Sequence, residues 1–163
     1  MREIPLTQGQ VALVDDADYE WLRQWNWYAK SQSGGFHACR NEAGHGSRGC
    51  IYMHTELLEV PEGYQVDHED GNGLNNQRSN LRPATAAQNQ GNQKRPRNNT
   101  SGYKGVSWHK RRSKWTAKIG VSGKRLNLGY FDDPAEAARA YDAAAIAHFG
   151  EFARLNFPVD IHS

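Results

Sequence analysis

The sequence predicts an α+β protein built from two modules, and three observations support that class. The first is the charge: residues 1–93 carry 7 basic and 12 acidic side chains, whereas residues 94–163 carry 13 and 6. The second is a polar stretch at 88–102, where Asn, Gln, Gly and Pro replace the apolar residues that a core needs. The third is a change after this stretch to an apolar alternation of period two, typical of half-buried strands.

Composition and cysteine count exclude two classes of protein. No stretch approaches the roughly 20 consecutive apolar residues that a membrane-spanning helix needs, and only 37% of the chain is apolar. The chain has two cysteines, Cys39 and Cys50, and its first residues lack the basic and then apolar profile of a secretory signal. We therefore expect a cytoplasmic protein with no membrane partner and no disulfide framework.

The amino-terminal residues predict a strand, a helix and a hairpin. The apolar run at 11–14 is typical of a strand, and Asp15 and Asp16 after it are candidates to cap a helix. Three large apolar residues then share one helix face and are expected in the core: Trp21, Leu22 and Trp25. Residues 34–41 and 49–54 have the character of two strands joined by a Gly-rich connection, which indicates a hairpin.

Residues 66–90 predict a strand, a loop, a second strand and a short helix. The first strand ends at His68, the loop contains an Asn/Gly turn, and the second strand begins at Leu81. Thr85 is a candidate helix cap, with Gln88 three residues later completing a capping box. A unit of this kind could bring the end of the first strand close to the helix.

Three side chains of this unit have the chemistry that phosphodiester hydrolysis requires. A base must activate water, and a cation must neutralise the charge that grows on the phosphate. His68 suits the first task, because an ordinary imidazole is largely neutral at pH 7. Asp67 and Asn89 suit the second, because Mg²⁺ prefers oxygen ligands and keeps several waters. Asp-His and Asn-Gly pairs also occur in ordinary turns, so the pattern alone leaves a structural role open.

The motif DHEDGNGLNNQRSNL at 67–81, followed by QN, resembles the HNH endonuclease family, particularly members from phages and mobile introns. The resemblance covers about residues 52–92 and implies a ββα-metal nuclease module. It further implies that His68 is the general base and that one divalent ion, Mg²⁺ or Mn²⁺, is bound. The remaining implied roles are metal ligation by Asp67 and Asn89 and bracing of the loop by Asn80.

One further histidine lies just upstream of the motif. His54 fits a recurrent Met-His position of the same family, and we expect it to pack on a helix face rather than to bind metal. Many relatives have Arg after this histidine, whereas this chain has Thr55. A phosphate contact at that position is therefore not expected.

The carboxy-terminal residues predict a sheet with one apolar and one cationic face, followed by a helix. In KWTAKIG at 114–120, apolar residues alternate with Lys114, Thr116 and Lys118, and RLNLGYF repeats the pattern. Asp133 is a helix cap before an alanine-rich helix at 134–149. Eleven basic residues and no acidic residue lie between Lys94 and Arg125, which indicates a surface with a positive field.

GYKGVSW, KWTAKI, LGYFDDPAEAARAYDAAA and LNFP, between residues 101 and 158, resemble the DNA-binding domain of plant ethylene-response factors. The resemblance implies a three-stranded antiparallel sheet packed on one helix, with the exposed sheet face in the major groove of double-stranded DNA. The residues at matching positions are Lys104, Ser107, His109, Lys118, Arg125 and Asn127. Those on or near a turn are Arg111, Arg112 and Lys114. Several of them differ from the plant residues, so the plant target sequence does not transfer.

Together these patterns favour a two-module, homing-type DNA endonuclease. We expect an αβ extension at 1–51, the HNH module at 52–93, a basic linker at 94–100, the DNA-binding domain at 101–158 and a tail at 159–163. One base and one metal predict a nick in one strand at the bound site. The expected partner is double-stranded DNA, without a small-molecule cofactor, in the cytoplasm of a bacterial host if a phage encodes the protein. Monomer and homodimer stay open.

Two other hypotheses remain. The first is a non-enzymatic, sequence-specific DNA-binding regulator with a decayed nuclease module, although all four residues of the expected nuclease centre are present. The second is a structural zinc module, whose spacing lacks the close pairing of a zinc finger. Its four ligands would be Cys39, His45, Cys50 and His54.

Overall fold

A computed structural model describes residues 1–32, 35–42 and 49–158 of the chain. The chain divides into two compact units, Met1–Thr85 and a second unit that begins at Ala86. Each unit contains both helices and strands, which agrees with the predicted α+β class. The structure therefore joins the predicted extension at 1–51 and most of the predicted nuclease module into one body. The expected tail at 159–163 lies outside the described residues.

Three small antiparallel sheets and two short helices make up the described part of the first unit. In chain order the elements are β1 (Arg2–Pro5), β2 (Val11–Val14), α1 (Asp16–Leu22), β3 (Tyr28–Gln32), β4 (Gly35–Asn41), β5 (Cys50–Tyr52), α2 (Met53–Leu57), β6 (Gln65–His68) and β7 (Leu81–Ala84). The predicted hairpin is the β4-β5 pair, and the predicted nuclease strands are the β6-β7 pair. Two strands were not predicted, because β1 and β3 are short and carry no strong alternation of apolar residues.

An apolar cluster joins the amino-terminal strands to the nuclease motif. Leu74 and Leu81, from the nuclease motif, pack in the same cluster as Ile4 and Val14 from the first two strands. Backbone hydrogen bonds reinforce this contact, since Leu13 donates its N–H to the Leu74 carbonyl at 2.8 Å. The amino-terminal extension is therefore part of the structural support of the nuclease motif.

An ion pair between the exposed Arg78 and the buried Asp18 joins the loop between β6 and β7 to helix α1. The Arg78 guanidinium donates through Nε and Nη2 to the two carboxylate oxygens of Asp18, both at 2.8 Å, and through Nη1 to the Leu57 carbonyl at 2.9 Å. The hydrogen bonds from Arg78 lower the pKa of Asp18. Asp15 is at the predicted N-cap of α1, but its carboxylate accepts from the Arg78 backbone N–H at 2.8 Å instead of capping the helix.

The second unit contains a three-stranded antiparallel sheet and two helices among its described residues. The elements are α3 (Ala86–Asn92), β8 (Val106–His109), β9 (Lys114–Val121), β10 (Lys124–Phe131) and α4 (Pro134–Phe149), and the strand order is β10-β9-β8. The turn between β9 and β10 has positive φ at Ser122 and Gly123, as two-residue hairpin turns require. Asp133 accepts from the Ala135 N–H at 2.9 Å, which confirms the predicted cap of α4.

Helix α4 packs on one face of this sheet through small side chains. Ala137 and Ala138 are fully buried against Val106 and Ala117. Helix α3 belongs to the same unit, although the predicted nuclease module extends to residue 93. The physical reason is its close contact with Phe149 of α4, where a Cβ added at Gly91 would lie 2.6 Å from Cγ of the ring.

We expect Arg78→Met to destabilise the first unit by about 2 kcal/mol. Leaving a buried carboxylate without its cation costs about 3–5 kcal/mol. The Asp18 side chain is only 6% exposed, but Arg78 is 56% exposed, which reduces the expected loss. Chemical denaturation measures the change. Arg23→Met, which removes a surface pair with Glu20 at 3.6 Å, is the matched control and should cost less than about 1 kcal/mol. Equal losses in the two variants would contradict the prediction.

Candidate functional site

His68, the predicted general base, ends strand β6 and is held inside the first unit. The residue is 6% exposed, and its Nε2 lies 3.3 Å from the side-chain oxygen of Asn76. In the neutral tautomer that donates from Nε2 to this oxygen, the lone pair is on Nδ1. Burial lowers the pKa of His68, which favours the neutral form that a base requires. Asn76 is fully buried and was not recognised from the sequence, because it lies in a turn rich in Asn and Gly.

The rings of two more histidines lie beside His68. The His68 ring lies 5.6 Å from the ring of His37 and 5.0 Å from that of His54, measured between centroids. Burial lowers the pKa of His37 to about 4 and that of His54 to about 3, with smaller contributions from neighbouring histidines. Tyr52 stacks on His54 at 5.2 Å. His54, for which we expected a packing role, therefore lies beside the predicted base. His37 of β4 also lies there, and the sequence did not indicate it.

Asp67, the predicted metal ligand, precedes His68 on β6 and is 3% exposed. The β6-β7 register places it opposite Arg82, whose Nε donates to the carboxylate at 2.9 Å. Nη1 of Arg82 also lies 3.7 Å from the Glu69 carboxylate, so this guanidinium lies close to two acidic side chains. A carboxylate in this position fits a hard divalent ion by donor type, since Mg²⁺ binds through one or two carboxylates together with waters and phosphate oxygens.

Asn80 makes three hydrogen bonds within the loop after His68. Its side-chain oxygen accepts from the Asp70 N–H at 3.0 Å, and its amide donates to the Asp70 carboxylate at 3.0 Å and to the Asn75 carbonyl at 2.8 Å. Asp70 in turn accepts from the Asn72 N–H at 2.7 Å. This closed network fixes the loop that also carries Asn76, the partner of His68.

The structure places three of the four predicted catalytic residues in the first unit and the fourth in the second. Asp67 and His68 lie on β6 and Asn80 lies directly before β7, whereas Asn89 lies on helix α3. The shared metal site of Asp67 and Asn89 stays a prediction.

The zinc hypothesis includes His45, which lies outside the described residues. Within the described ranges, no group of three or more His, Cys, Asp or Glu side chains is arranged to hold a metal. Cys50 has a different partner, because its sulfur lies 3.0 Å from the Lys30 ammonium, and this hydrogen bond lowers the pKa of the thiol.

In the second unit, six of the nine predicted DNA-binding residues lie on one face of the sheet. Side chains opposite one another on neighbouring strands share a face, as do residues two apart on one strand. By these rules the face carries Ser107, His109, Lys114, Lys118, Arg125 and Asn127. The other face packs on α4 through Val106 and Ala117, so the predicted division into a cationic and an apolar face is present.

The remaining three predicted DNA-binding residues have different surroundings. Arg111 and Arg112 are exposed on the turn between β8 and β9. Lys104 is only partly accessible, and its ammonium donates to the Gly91 carbonyl at 2.7 Å. The last carbonyl groups of helix α3 need hydrogen-bond donors, and this ammonium supplies one. The DNA contact of Lys104 stays a prediction.

Tyr130 is a residue of the cationic face that the sequence did not indicate. A β-bulge between Asn127 and Gly129 shifts the register, so that Tyr130 lies opposite Thr116 and joins the face of Asn127. The Asn127 amide donates to the Tyr130 hydroxyl at 3.1 Å and accepts from the Gly129 N–H at 3.1 Å. The Arg112 guanidinium lies 4.5 Å from the Tyr130 ring centroid. Asn127 therefore stabilises the bulge through a hydrogen bond, and its side chain also lies on the cationic face.

Comparisons with known proteins identify two domain families in the chain. The HNH endonuclease family matches residues 59–90, and the AP2 domain family matches residues 101–151. APETALA2-like protein 2 of Oryza sativa is 45% identical over 62 residues, which is 38% of this chain but 14% of the plant protein. Dehydration-responsive element-binding protein 2C of Arabidopsis thaliana is 48% identical over 65 residues, 39% of this chain and 19% of that protein.

One curated relative from a phage is matched over most of its own length. Protein 3.8 of Escherichia phage T7 is 42% identical over 96 residues, which is 59% of this chain and 78% of the phage protein. No solved structure matches the chain. Among the described residues, no helix has the length and apolar character needed to cross a bilayer. The chain therefore belongs to the family of phage protein 3.8 and joins an HNH endonuclease domain to an AP2 domain.

Proposed function

We propose that the chain is a metal-dependent, homing-type DNA endonuclease that nicks one strand at a site bound by its AP2 domain. The observation that carries the proposal is the environment of His68, a residue within the HNH match. The side chain is buried beside the Asn76 oxygen, and burial lowers its pKa. A neutral, oriented imidazole is what a general base needs. The phage relative supports action in the cytoplasm of a bacterial host.

In the proposed mechanism His68 accepts a proton from water at the scissile phosphate. In the tautomer that donates from Nε2 to Asn76, the accepting atom would be Nδ1. Asp67 and Asn89 would hold one Mg²⁺ or Mn²⁺. The ion, when bound, neutralises the charge that develops on the phosphate and the leaving oxygen. Asn80 acts on the loop rather than on the substrate, through its hydrogen bonds to Asp70 and Asn75.

The AP2 domain would supply most of the affinity for double-stranded DNA. Its cationic face and the exposed arginines of the β8-β9 turn provide positive charge that phosphates attract, whereas the first 93 residues carry more acidic than basic side chains. One base and one metal ion per chain suit cleavage of one strand in each binding event. The alternative is a DNA-binding regulator without nuclease activity. The ion pair between Asp67 and Arg82 favours this alternative, because the guanidinium competes with a metal ion for the Asp67 carboxylate.

His68→Ala should lower the single-turnover rate of DNA cleavage by about 10²- to 10⁴-fold, because it removes the general base. DNA affinity should change little, since the substituted residue lies outside the AP2 domain. Cleavage of supercoiled plasmid with Mg²⁺, together with a binding assay, measures both quantities. His148→Ala, at an exposed position of α4, is the matched control. Wild-type cleavage by the His68 variant would favour the regulator without nuclease activity.

The buried histidines should make the first unit less stable as the pH falls below about 6.5. The pKa of His37 is about 4 and that of His54 about 3, so between these values and 6.5 the unfolded chain binds protons that the folded chain does not. Each histidine can contribute at most about 1.4 kcal/mol per pH unit. Denaturation at pH 7 and pH 5 measures the slope. His54→Gln should flatten it and the control His148→Gln should not; equal slopes in all proteins would contradict this origin.

Removing charge from the cationic face should weaken DNA binding and reduce its dependence on salt. Arg111→Gln and Lys118→Gln should each lower the slope of log affinity against log salt by about 0.9 if each loses one phosphate contact. Titrations at several salt concentrations measure this slope. Arg139→Gln on helix α4 is the control, because α4 covers the opposite face of the sheet. A slope that stays at the wild-type value in the first two variants would place the DNA elsewhere.

A further inference from the structure

Cys50 is a nucleophilic side chain that the proposed nuclease mechanism does not use. It begins strand β5 and is partly buried, and its sulfur lies 3.0 Å from the Lys30 ammonium on β3. We propose that Cys50 is a redox modification site, at which a thiolate paired with Lys30 attacks a small-molecule disulfide and becomes a mixed disulfide. This reaction is separate from DNA cleavage, so the inference does not rest on the proposed nuclease.

The strand register explains how Lys30 reaches Cys50 across the sheet. Lys30 of β3 is opposite His37 of β4. Cys39, two residues further along β4, is opposite Tyr52 of β5, and Cys50 precedes Tyr52 by two residues. Residues two apart on one strand share a face, so the lysine and both cysteines lie on the same face of the sheet. The pairing of the ammonium with the sulfur is therefore a consequence of the sheet geometry.

These surroundings favour the charged form of the Cys50 sulfur. The hydrogen bond from Lys30 lowers the pKa of Cys50, and hydrogen bonds from Tyr52 and Cys39 act in the same direction, although burial opposes them. The same contact raises the pKa of Lys30, so the ammonium stays charged at neutral pH. The thiolate is the nucleophilic form of cysteine, and an ordinary thiol, with a pKa of about 8.5, holds only a few per cent of it at pH 7.

Cys39, the other cysteine of the chain, is expected to remain a thiol. Its side chain is fully buried, and burial raises its pKa to about 12. The register places Cys39 and Cys50 diagonally across β4 and β5, where α-carbons lie about 7–8 Å apart. A disulfide needs α-carbons about 4.4–6.8 Å apart, so a bond between the two cysteines would require the strands to move. A mixed disulfide at Cys50 should therefore persist.

In the proposed step the Cys50 thiolate attacks one sulfur of the incoming disulfide. A new sulfur–sulfur bond forms to Cys50, the original sulfur–sulfur bond breaks, and the second half leaves as a thiolate. The protein sulfur is oxidised and the leaving sulfur is reduced, so the disulfide is the oxidant and no other reagent is consumed. A free thiol reverses the exchange by the same route, and the modification is therefore reversible.

The modified sulfur would lie close to the histidines around His68. Tyr52 shares the sheet face of Cys50, and the Lys30 ammonium lies 5.2 Å from the Tyr52 ring centroid. The Tyr52 ring stacks on His54 at 5.2 Å, and the His54 ring lies 5.0 Å from that of His68. A group attached to Cys50 would therefore occupy a sheet face that continues, through two ring contacts, to the predicted base.

The test follows the reaction of the full-length chain with dithiobis(nitrobenzoate), a small-molecule disulfide whose released thiolate absorbs visible light. We expect one fast thiol in the native chain, which Cys50→Ser removes, and a second thiol only after denaturation. Lys30→Met should slow the fast reaction at pH 7 by about three- to tenfold and move the pH midpoint of its rate upward. Lys30→Arg should restore part of the rate. Oxidised glutathione should add one adduct, at Cys50, by mass spectrometry.

Lys124→Met is the matched control. Lys124 is an exposed lysine of the second unit, and because salt largely screens exposed charges, its loss should change the rate by less than about twofold.

Three results would overturn the inference. The first is a Lys30→Met variant that reacts at the wild-type rate with the wild-type pH profile. The second is equal reactivity of the two thiols in the native chain. The third is an internal disulfide between Cys39 and Cys50 in place of the glutathione adduct. Should the Lys30 variant fail to fold, the pH profile of the wild-type rate decides, because a midpoint at or above the ordinary thiol value of about 8.5 means that Cys50 is not activated.

Discussion

The geometry around His68 depends on the loop between β6 and β7, whose polar side chains include the buried Asn76 and Asn80. Arg78 fastens this loop to helix α1 through two hydrogen bonds to Asp18. Asn80 and Asp70 close it from within. Because partly satisfied buried polar groups are costly, each of these contacts supports the others. The loop then presents Asn76 to the His68 ring at a fixed place.

The first unit gives the proposed base an environment that keeps it neutral. His37 and His54 are buried beside it, and a proton on any one of the three rings disfavours a proton on the others. His37 comes from β4, part of the amino-terminal extension, while Asp18 and Asp15 of the same extension hold the Arg78 loop. The extension thus contributes both to the electrostatics and to the rigidity of the nuclease motif, and removing it would remove both.

The basic residues of the second unit have two kinds of surroundings. Lys118 and the turn arginines are exposed, whereas the Lys104 ammonium donates to the carbonyl of Gly91 near the end of helix α3. A bulge in β10 brings Tyr130 onto the sheet face that carries Asn127. A local irregularity of the strand therefore decides which side chains share the cationic face.

Four features could be predicted from the amino-acid pattern: the α+β class, the α4 cap at Asp133, the β6-β7 strands of the HNH motif and the two-faced sheet of the AP2 domain. These follow from local patterns, because alternation, capping and turn residues act over a few positions. The folded structure was needed to show that Met1–Thr85 form one unit, that α3 packs with the second unit, and that His37 and Asn76 lie beside His68. It also decided the partner of Lys104 and the face of Tyr130. Most of these features depend on contacts between residues that are distant in sequence. The face of Tyr130 depends on a bulge that shifts the strand register by one residue. A local pattern of residue types reveals neither long-range contacts nor such a bulge.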